Sequence, residues 1–373
     1  MKKLKVITAI GTRPELIRLS RVIDLLDKNL NHILVHTGQN YDYELNQIFF
    51  KDMSLRKPDF QIKIKNNTPI SAISQILFEV DKIIIKEKPD AFLILGDTNS
   101  SLSAYCAKRM KVPIFHIESG NRCYDERVPE EVNRKIIDHI SDINITYSDI
   151  ARDNLIRENI HPDKIFKIGS PLDEVYNFYK PKILKSKILR EYKLKKNNYF
   201  LISVHREENL DTSVNLNKFI KLLNYFNKRG KEKILVTTHP RTMNKIKNLK
   251  INNMKNIIFS KPFSYTDYSN LQINSKIVLS DSGSITEEAS ILKFSAINLR
   301  TTNERQEGMS FGTVPMAHFD IDNIERLINF LMKNKDKTQV FDYNCPNFSK
   351  IFYNILLSYI DYVKEYTWKI NHK

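Results

Sequence analysis

The sequence is poor in cysteine and has no long hydrophobic run. Its 373 residues contain three cysteines, Cys106, Cys123 and Cys345, which form neither an even set nor a C-x-x-C pair. This spacing argues against a disulfide framework and a thiolate metal cluster, and it favours a reducing cytoplasm. No stretch of 18 uninterrupted apolar residues occurs, and the apolar run at 6–10 is too short for an export signal. We therefore expect a soluble cytoplasmic protein without membrane insertion.

Two signatures of cofactor and metal chemistry are also absent. No G-x-G-x-x-G follows the first predicted strand, which counts against a dinucleotide redox cofactor. The triplet His116-Ile117-Glu118 has the H-x-E pattern of zinc deaminases, but no P-C-x-x-C follows it. The residues therefore indicate neither a redox cofactor nor a bound metal.

Positive charge is in excess, since 59 Lys and Arg face 43 Asp and Glu, a formal net charge of +16. Such an excess is compatible with a nucleic acid, a membrane surface or an anionic small substrate. The lysine-rich stretch at 180–196 is the candidate for nucleic-acid binding, but it lacks regular aromatic interleaving and a recognisable nucleic-acid module. We interpret it as a solvated linker and expect no nucleic-acid partner.

Short apolar runs alternate with longer amphipathic stretches. In the first half, the runs at 4–10, 32–36, 91–95 and 112–117 predict strands, and the stretches between and after them predict helices at 14–26, 41–52, 69–87, 98–110 and 129–140. Strands that are buried on both faces are nearly continuous apolar runs, as these are. The pattern predicts a doubly wound parallel sheet.

A glycine-free, lysine-rich stretch at 179–198 interrupts this alternation, which restarts at residue 199. We place a domain boundary here, with a first Rossmann-like domain at 1–178 and a second at 179–346. The amphipathic segment 347–373 is predicted to cross back to the first domain. The predicted fold class is α/β, with two Rossmann-like domains facing across a cleft.

Carboxylates follow two neighbouring predicted strands, where ligands of parallel sheets bind. Asp97 is one, although Asp is also a favoured helix cap. Glu118 is the other, and a Glu directly after so apolar a run is costly unless it is paired or functional. Glu130 opens a helix after Pro129, and the helix macrodipole alone explains a carboxylate there. Its alternative role is to join the other two around a sugar and transfer protons.

Basic and hydroxyl residues follow other strand ends. Arg13 either docks an anion at a helix N-terminus or belongs to an ordinary strand-to-helix turn. His205 follows a strand of the second half, where a lone histidine is most often structural; the alternative is a contact to a diphosphate or a held proton. The run Ser282-Gly283-Ser284 begins a helix whose free N–H groups suit phosphate oxygens, and Glu288 lies one turn further on, in reach of ribose hydroxyls.

Seven segments together resemble one enzyme family. They are GTRPE at 11–15, GDTNS at 96–100, HIESGNR at 116–122, PEEVNR at 129–134, HREEN at 205–209, DSGSITEE at 281–288 and ER at 304–305. In this order they resemble the non-hydrolysing UDP-N-acetylglucosamine 2-epimerases. The resemblance implies two domains of the glycosyltransferase-B type, a homodimer, a UDP-linked N-acetyl amino sugar as substrate and no cofactor.

The resemblance also implies roles for individual residues. Asp97, Glu118 and Glu130 become the acid–base carboxylates, and His205 lies near the diphosphate. The residues implied to bind the substrate are Arg13, Arg18, Arg122, Arg134, Tyr268, Ser282, Gly283, Ser284, Glu288 and Arg305. Arg18 stands where the family commonly has lysine.

Within the family, the segments at 36–50 and 116–139 are most similar to the branch that makes UDP-N-acetyl-L-fucosamine for capsule and O-antigen. That branch epimerises UDP-2-acetamido-2,6-dideoxy-L-talose at C2. The alternative substrate is UDP-N-acetylglucosamine, giving UDP-N-acetylmannosamine. A UDP-sugar glycosyltransferase would share the UDP cradle, but three carboxylates at the donor argue against it. A hydrolysing epimerase stays open.

Overall fold

The computed structural model describes residues 3–39, 49–65, 68–204, 213–237, 255–334 and 337–370. The chain divides into two compact units, one formed by Met1–Asn177 with Asp342–Lys373 and the other by Phe178–Phe341. The chain thus leaves the first unit at residue 178 and returns to it at residue 342. The sequence predicted that the second domain begins at residue 179 and that the chain returns to the first domain from residue 347.

Within the described residues, the first unit is built on a sheet of seven parallel strands. They are β1 Lys5–Ile10, β2 Asn31–His36, β3 Phe60–Gln61, β4 Ala91–Leu95, β5 Ile114–Ile117, β6 Ile143–Thr146 and β7 Ile165–Lys167. Their order is β3-β2-β1-β4-β5-β6-β7, so the chain runs outward from β1 and then restarts at β4 on its other side. The carboxyl ends of β1 and β4 therefore form the switch point at which ligands of such sheets bind.

The sheet of the second unit has five parallel strands in the part of the unit that the structure describes. They are β8 Tyr199–Ser203, β9 Lys233–Thr237, β10 Ile257–Ser260, β11 Ile277–Ser280 and β12 Ala296–Asn298. The order β10-β9-β8-β11-β12 repeats that of the first five strands of the other sheet. Its switch point lies between β8 and β11, and residues 281–284 follow the end of β11.

The described helices connect these strands. They are α1 Arg13–Asn29, α2 Pro69–Glu87, α3 Ala104–Arg109, α4 Pro129–Ile140, α5 Asp149–Arg157, α6 Pro171–Leu184, α7 Ile188–Glu191, α8 Ser213–Arg229, α9 Tyr265–Asn274, α10 Ile285–Leu292, α11 Gln306–Ser310, α12 Ile321–Lys333 and α13 Phe348–Tyr362. Helix α13 packs against α1 in the first unit, and its Phe352 meets Phe115 of β5 edge-on at 6.2 Å. Among the described residues, no helix has both the length and the apolar character needed to cross a bilayer.

The apolar runs explain the central strands. Every residue of β4 and of β5 is buried, and each unit has its own cluster of buried aliphatic and aromatic side chains. The predicted parallel α/β architecture is confirmed. Three strands of the first sheet, β3, β6 and β7, were not predicted. The helix predicted over 98–110 begins as an α-helix only at Ala104, after a 3₁₀ turn, and most of the helix predicted over 41–52 lies outside the described residues.

Candidate active site

The neighbouring strands β4 and β5 are each followed by a carboxylate at the same edge of the sheet. Leu95 of β4 pairs with Ile117 of β5, and the amide of Gly96 donates to the Ile117 carbonyl at 2.8 Å. Gly96, the residue before Asp97, therefore lies beside Glu118, and a Cβ atom on Gly96 would lie 4.0 Å from Glu118 Oε2. Glu118 has a φ of +70°, a left-handed backbone conformation that a glutamate rarely adopts. Such backbone strain is typical of functional sites.

An arginine of helix α4 holds Asp97. Arg134 Nε and Nη2 both lie 2.7 Å from Asp97 Oδ2, and the Asn133 side-chain amide donates to the Asp97 carbonyl at 2.9 Å. Charge-assisted hydrogen bonds of this length are strong. Both arginine contacts fall on Oδ2, so Oδ1 takes part in neither. The family resemblance implies that Arg134 binds the substrate. In the structure, Arg134 instead hydrogen-bonds Asp97, a candidate catalytic carboxylate.

Glu118 has a tyrosine and an arginine beside it, at longer distances. The Tyr147 hydroxyl donates to Glu118 Oε2 at 3.3 Å, and Arg18 Nε lies 3.5 Å from the same oxygen. Arg18 is buried on helix α1. A guanidinium therefore lies beside each of the two carboxylates, which offsets the repulsion between their negative charges. The contact of Arg18 to Glu118 was not anticipated from the sequence.

The first turn of α4 carries two further glutamates. Glu130 is half-buried there, on the helix whose Arg134 contacts Asp97. Glu131 is fully buried and accepts hydrogen bonds from the Cys123 amide at 3.0 Å, the Tyr124 amide at 2.9 Å and Arg134 Nη1 at 2.8 Å.

From its position in the first turn of α4, Glu131 is explained by the helix macrodipole alone, and its buried contacts are not predicted. Burial alone would raise the pKa of Glu131, but the amides and the arginine outweigh that effect and leave its pKa below the usual value. The signal available in the sequence was its i, i+3 spacing from Arg134 within PEEVNR.

A second buried carboxylate, Glu15, ties the loop after β1 to the loop after β4. Its Oε2 accepts the amide protons of Gly11 at 2.9 Å and Thr12 at 2.6 Å, and its Oε1 accepts the Thr98 hydroxyl at 2.8 Å. Burial raises the pKa of Glu15 to about 7, against the lowering effect of these hydrogen bonds. The T-x-x-E spacing at 12–15, a capping box, was the signal in the sequence.

We expect the stability of Glu15→Gln relative to the wild type to increase between pH 5 and pH 8. Because the folded-state pKa is raised, the folded protein binds this proton more tightly than the unfolded chain does. The wild type therefore loses stability as the pH rises from 4.5 to about 7, whereas a neutral amide does not titrate. The gain is at most about 3 kcal/mol. Urea unfolding of both proteins at the two pH values measures it, and a pH-independent difference would contradict the expectation.

Two other arginines of the first unit, Arg13 and Arg122, contact an aromatic ring and two carboxylates, respectively. The guanidinium of Arg13, in the first turn of α1, lies 5.4 Å from the centre of the Phe49 ring. Arg122 is fully buried, with Nη1 donating to Asp138 at 2.7 Å and Nε and Nη2 donating to Glu158 at 2.7 and 2.6 Å. Protein oxygens thus accept hydrogen bonds from all three nitrogens of Arg122, which supports the loop that follows Glu118.

In the second unit, a hydroxyl-rich turn precedes helix α10. Ser282 Oγ lies 2.9 Å from Ser284 Oγ, and the Ser284 hydroxyl donates to Glu288 Oε1 at 2.6 Å. A Cβ atom on Gly283 would lie 2.0 Å from Glu304 Oε1, so a larger residue here would displace the Glu304 side chain. Small residues at a helix N-terminus leave amide groups accessible to phosphate oxygens.

Arg305 and Tyr268 lie beside this turn. Arg305 is buried, its Nε donates to the Gly283 carbonyl at 3.1 Å, and its Nη2 lies 3.3 Å from Glu287 Oε2. Burial raises the pKa of the Tyr268 phenol, and the charge of Glu288 raises it further. The structure thus brings the predicted ligands of the second unit together, while His205 lies outside the described residues.

Comparison with known proteins identifies the family. The family model described as UDP-N-acetylglucosamine 2-epimerase matches residues 25–350. The chain belongs to this family. It is an enzyme, a non-hydrolysing UDP-sugar 2-epimerase and therefore an isomerase.

Three relatives show the range of the likeness. The structure of a UDP-N-acetylglucosamine 2-epimerase from Rickettsia bellii is 46% identical, with a TM-score of 0.92 over 99% of this chain and 100% of that one. The Methanocaldococcus jannaschii enzyme, solved in complex with UDP-GlcNAc and UDP, is 31% identical, with a TM-score of 0.88 over 96% and 100%. The Pseudomonas aeruginosa UDP-2,3-diacetamido-2,3-dideoxy-D-glucuronate 2-epimerase is 32% identical over 83% of this chain and 87% of its own. Relatives at similar identity are thus named for different sugars.

Proposed function

We propose that the protein inverts C2 of UDP-2-acetamido-2,6-dideoxy-L-talose and so makes UDP-N-acetyl-L-fucosamine for capsule or O-antigen synthesis. The position of Asp97 and Glu118 after the ends of the neighbouring strands β4 and β5 carries the proposal for the chemistry. The likeness of the segments at 36–50 and 116–139 to the L-fucosamine branch supports the choice of sugar. The reaction is placed in the cytoplasm, and the protein is proposed to act as a homodimer, as the family resemblance implies.

Two carboxylates suit this reaction because C2 has no adjacent carbonyl to stabilise a carbanion. One carboxylate removes the C2 proton while the bond between C1 and the UDP oxygen breaks, which gives UDP and a 2-acetamidoglycal. The other carboxylate then protonates C2 from the opposite face, and the UDP oxygen re-forms its bond to C1. Asp97 and Glu118 are the proposed pair, and Glu130 and His205 are proposed to assist in proton transfer. No redox cofactor takes part in these steps.

Charge develops on the diphosphate as UDP departs, so groups that meet it lower the barrier. We assign this role to the turn Ser282-Gly283-Ser284, where hydroxyls and a helix N-terminus come together, and to Arg13. Glu288 is proposed to bind the ribose, Tyr268 the uracil and Arg305 the sugar or phosphate side. The contacts of Arg18 and Arg134 to the carboxylates support a role in arranging the acid–base pair.

UDP-N-acetylglucosamine is the second candidate substrate. It is favoured by the names of the Rickettsia bellii and Methanocaldococcus jannaschii relatives, and by the UDP-GlcNAc present in the complex of the latter. The same chemistry at C2 would give UDP-N-acetylmannosamine.

Proton NMR of the purified protein with each UDP-sugar in separate tubes distinguishes the two. Conversion of the L-talo sugar, with UDP-N-acetylglucosamine unchanged, is the expected result. Turnover of UDP-N-acetylglucosamine alone would overturn the L-fucosamine assignment and leave the epimerase chemistry. Transfer of the sugar to an added acceptor, with neither UDP-sugar epimerised, would favour a glycosyltransferase.

A further inference from the structure

We propose that Glu131 is a positioning residue for the epimerisation, acting through Arg134 on Asp97; this inference rests on the proposed function. The Glu131 side chain is fully buried, and three hydrogen bonds fix it. Its Oε1 accepts the Tyr124 amide, and its Oε2 accepts the Cys123 amide and Arg134 Nη1. A carboxylate fixed in this way is a rigid anchor for whatever it binds.

Arg134 bridges the two carboxylates with different nitrogens. Nη1 lies 2.8 Å from Glu131 Oε2, while Nε and Nη2 each lie 2.7 Å from Asp97 Oδ2. A guanidinium is planar, so fixing Nη1 on a buried anchor also fixes the direction in which the other two nitrogens point. Asp97 Oδ2 is thereby held in one place, and the rotation of the carboxylate that would misdirect Oδ1 is suppressed.

The same helix turn also holds the main chain of Asp97. The Asn133 amide donates to the Asp97 carbonyl at 2.9 Å, and Glu131 holds the loop at 123–124 against the start of α4. Loss of the Glu131 carboxylate therefore frees the Arg134 guanidinium. Both the side chain and the main chain of Asp97 are restrained by this turn of α4, so Asp97 is expected to move with it. A displacement of about 1 Å at a reacting group costs roughly a hundredfold in rate.

Glu131→Gln is the variant that tests this chain of contacts. We expect kcat to fall roughly a hundredfold and KM to stay within about twofold, because the change is made at none of the proposed UDP ligands. Exchange of the C2 hydrogen with D₂O is expected to fall in proportion to kcat. UDP affinity, measured by calorimetry, is expected not to change.

Asp142→Asn is the matched control for a lost buried ion pair. Asp142 is also a fully buried carboxylate that accepts a backbone amide, from Ile114 at 3.0 Å, and pairs with Lys108 at 2.5 Å. It lies at the amino-terminal ends of β5 and β6, away from the proposed chemistry. This variant is expected to lower the melting temperature while keeping kcat of the folded protein within about twofold of the wild type.

Arg134→Lys is the second variant, and it decides the matter if Glu131→Gln does not fold. A lysine keeps the positive charge but has no fork to reach both carboxylates, so a similar fall in kcat is expected. The double variant is expected to be no slower than Arg134→Lys alone, because both changes break one chain of contacts. A folded Glu131→Gln, or an Arg134→Lys, with wild-type kcat would overturn the inference, as would an equal loss of kcat in Asp142→Asn. A wild type that epimerises neither UDP-sugar would instead overturn the proposed function.

Discussion

Asp97→Asn and Glu118→Gln are each expected to lose roughly 10³- to 10⁴-fold in kcat. An amide of nearly the same size can occupy each position beside Arg134 or Tyr147, but it neither removes a proton from C2 nor returns one. The UDP affinity of both variants is expected to stay within about twofold of the wild type, because neither residue is one of the proposed UDP ligands. Steady-state kinetics and calorimetry with UDP measure the two effects.

Glu126→Gln is the control for these two variants. Glu126 is exposed and pairs with Lys135 on the surface of α4 at 2.8 Å, so its loss is expected to leave kcat unchanged. A folded Asp97→Asn or Glu118→Gln protein that kept a tenth of the wild-type kcat would contradict the assignment of that residue as acid–base catalyst.

Gly120→Ala is expected to remove about 4 kcal/mol or more from the free energy of unfolding, or to prevent folding. Gly120 has a φ of +83°, and a Cβ atom there would lie 2.2 Å from the Ala151 carbonyl oxygen. That oxygen belongs to helix α5, so it cannot move aside as the end of a flexible side chain would. Since Gly120 is two residues after Glu118, any relaxation would also displace the candidate catalytic carboxylate.

Gly312→Ala separates the steric effect from the conformational one. Gly312 also has a positive φ, +65°, but a Cβ atom there meets nothing within 4 Å. Its loss of stability is expected to be about 1 kcal/mol, the cost of the left-handed backbone alone. Urea unfolding of both variants gives the comparison, and equal losses would show that the contact with Ala151 carries no weight.

The central strands could be predicted from the sequence because continuous burial leaves a continuous apolar run. Three strands could not. Strands β3 and β7 have two and three residues, too few for a pattern. Strand β6 is fully buried but contains Asn144, whose side-chain nitrogen donates to the Asp138 carbonyl at 3.0 Å. A polar residue inside a strand of four residues interrupts the apolar run by which a buried strand is predicted.

The candidate site also has features that could be predicted from the sequence and features that could not. The position of Asp97 and Glu118 at one edge of the sheet follows from parallel topology, because both residues come within two positions of the ends of neighbouring strands. The partners of the arginines do not follow from it, since Arg134 lies 37 residues from Asp97 along the chain. The burial of Arg122 likewise depends on Asp138 and Glu158, and a basic residue in a family motif gives no indication of such acceptors.

Proton NMR in D₂O with the wild-type protein and the UDP-sugar that it converts is the most direct test of the proposed chemistry. Deuterium is expected to enter C2 of the epimerised product, and of the recovered substrate at equilibrium, because a carboxylate removes the C2 proton and solvent exchanges with it. Epimerised product that kept its original C2 hydrogen would contradict proton transfer through Asp97 and Glu118.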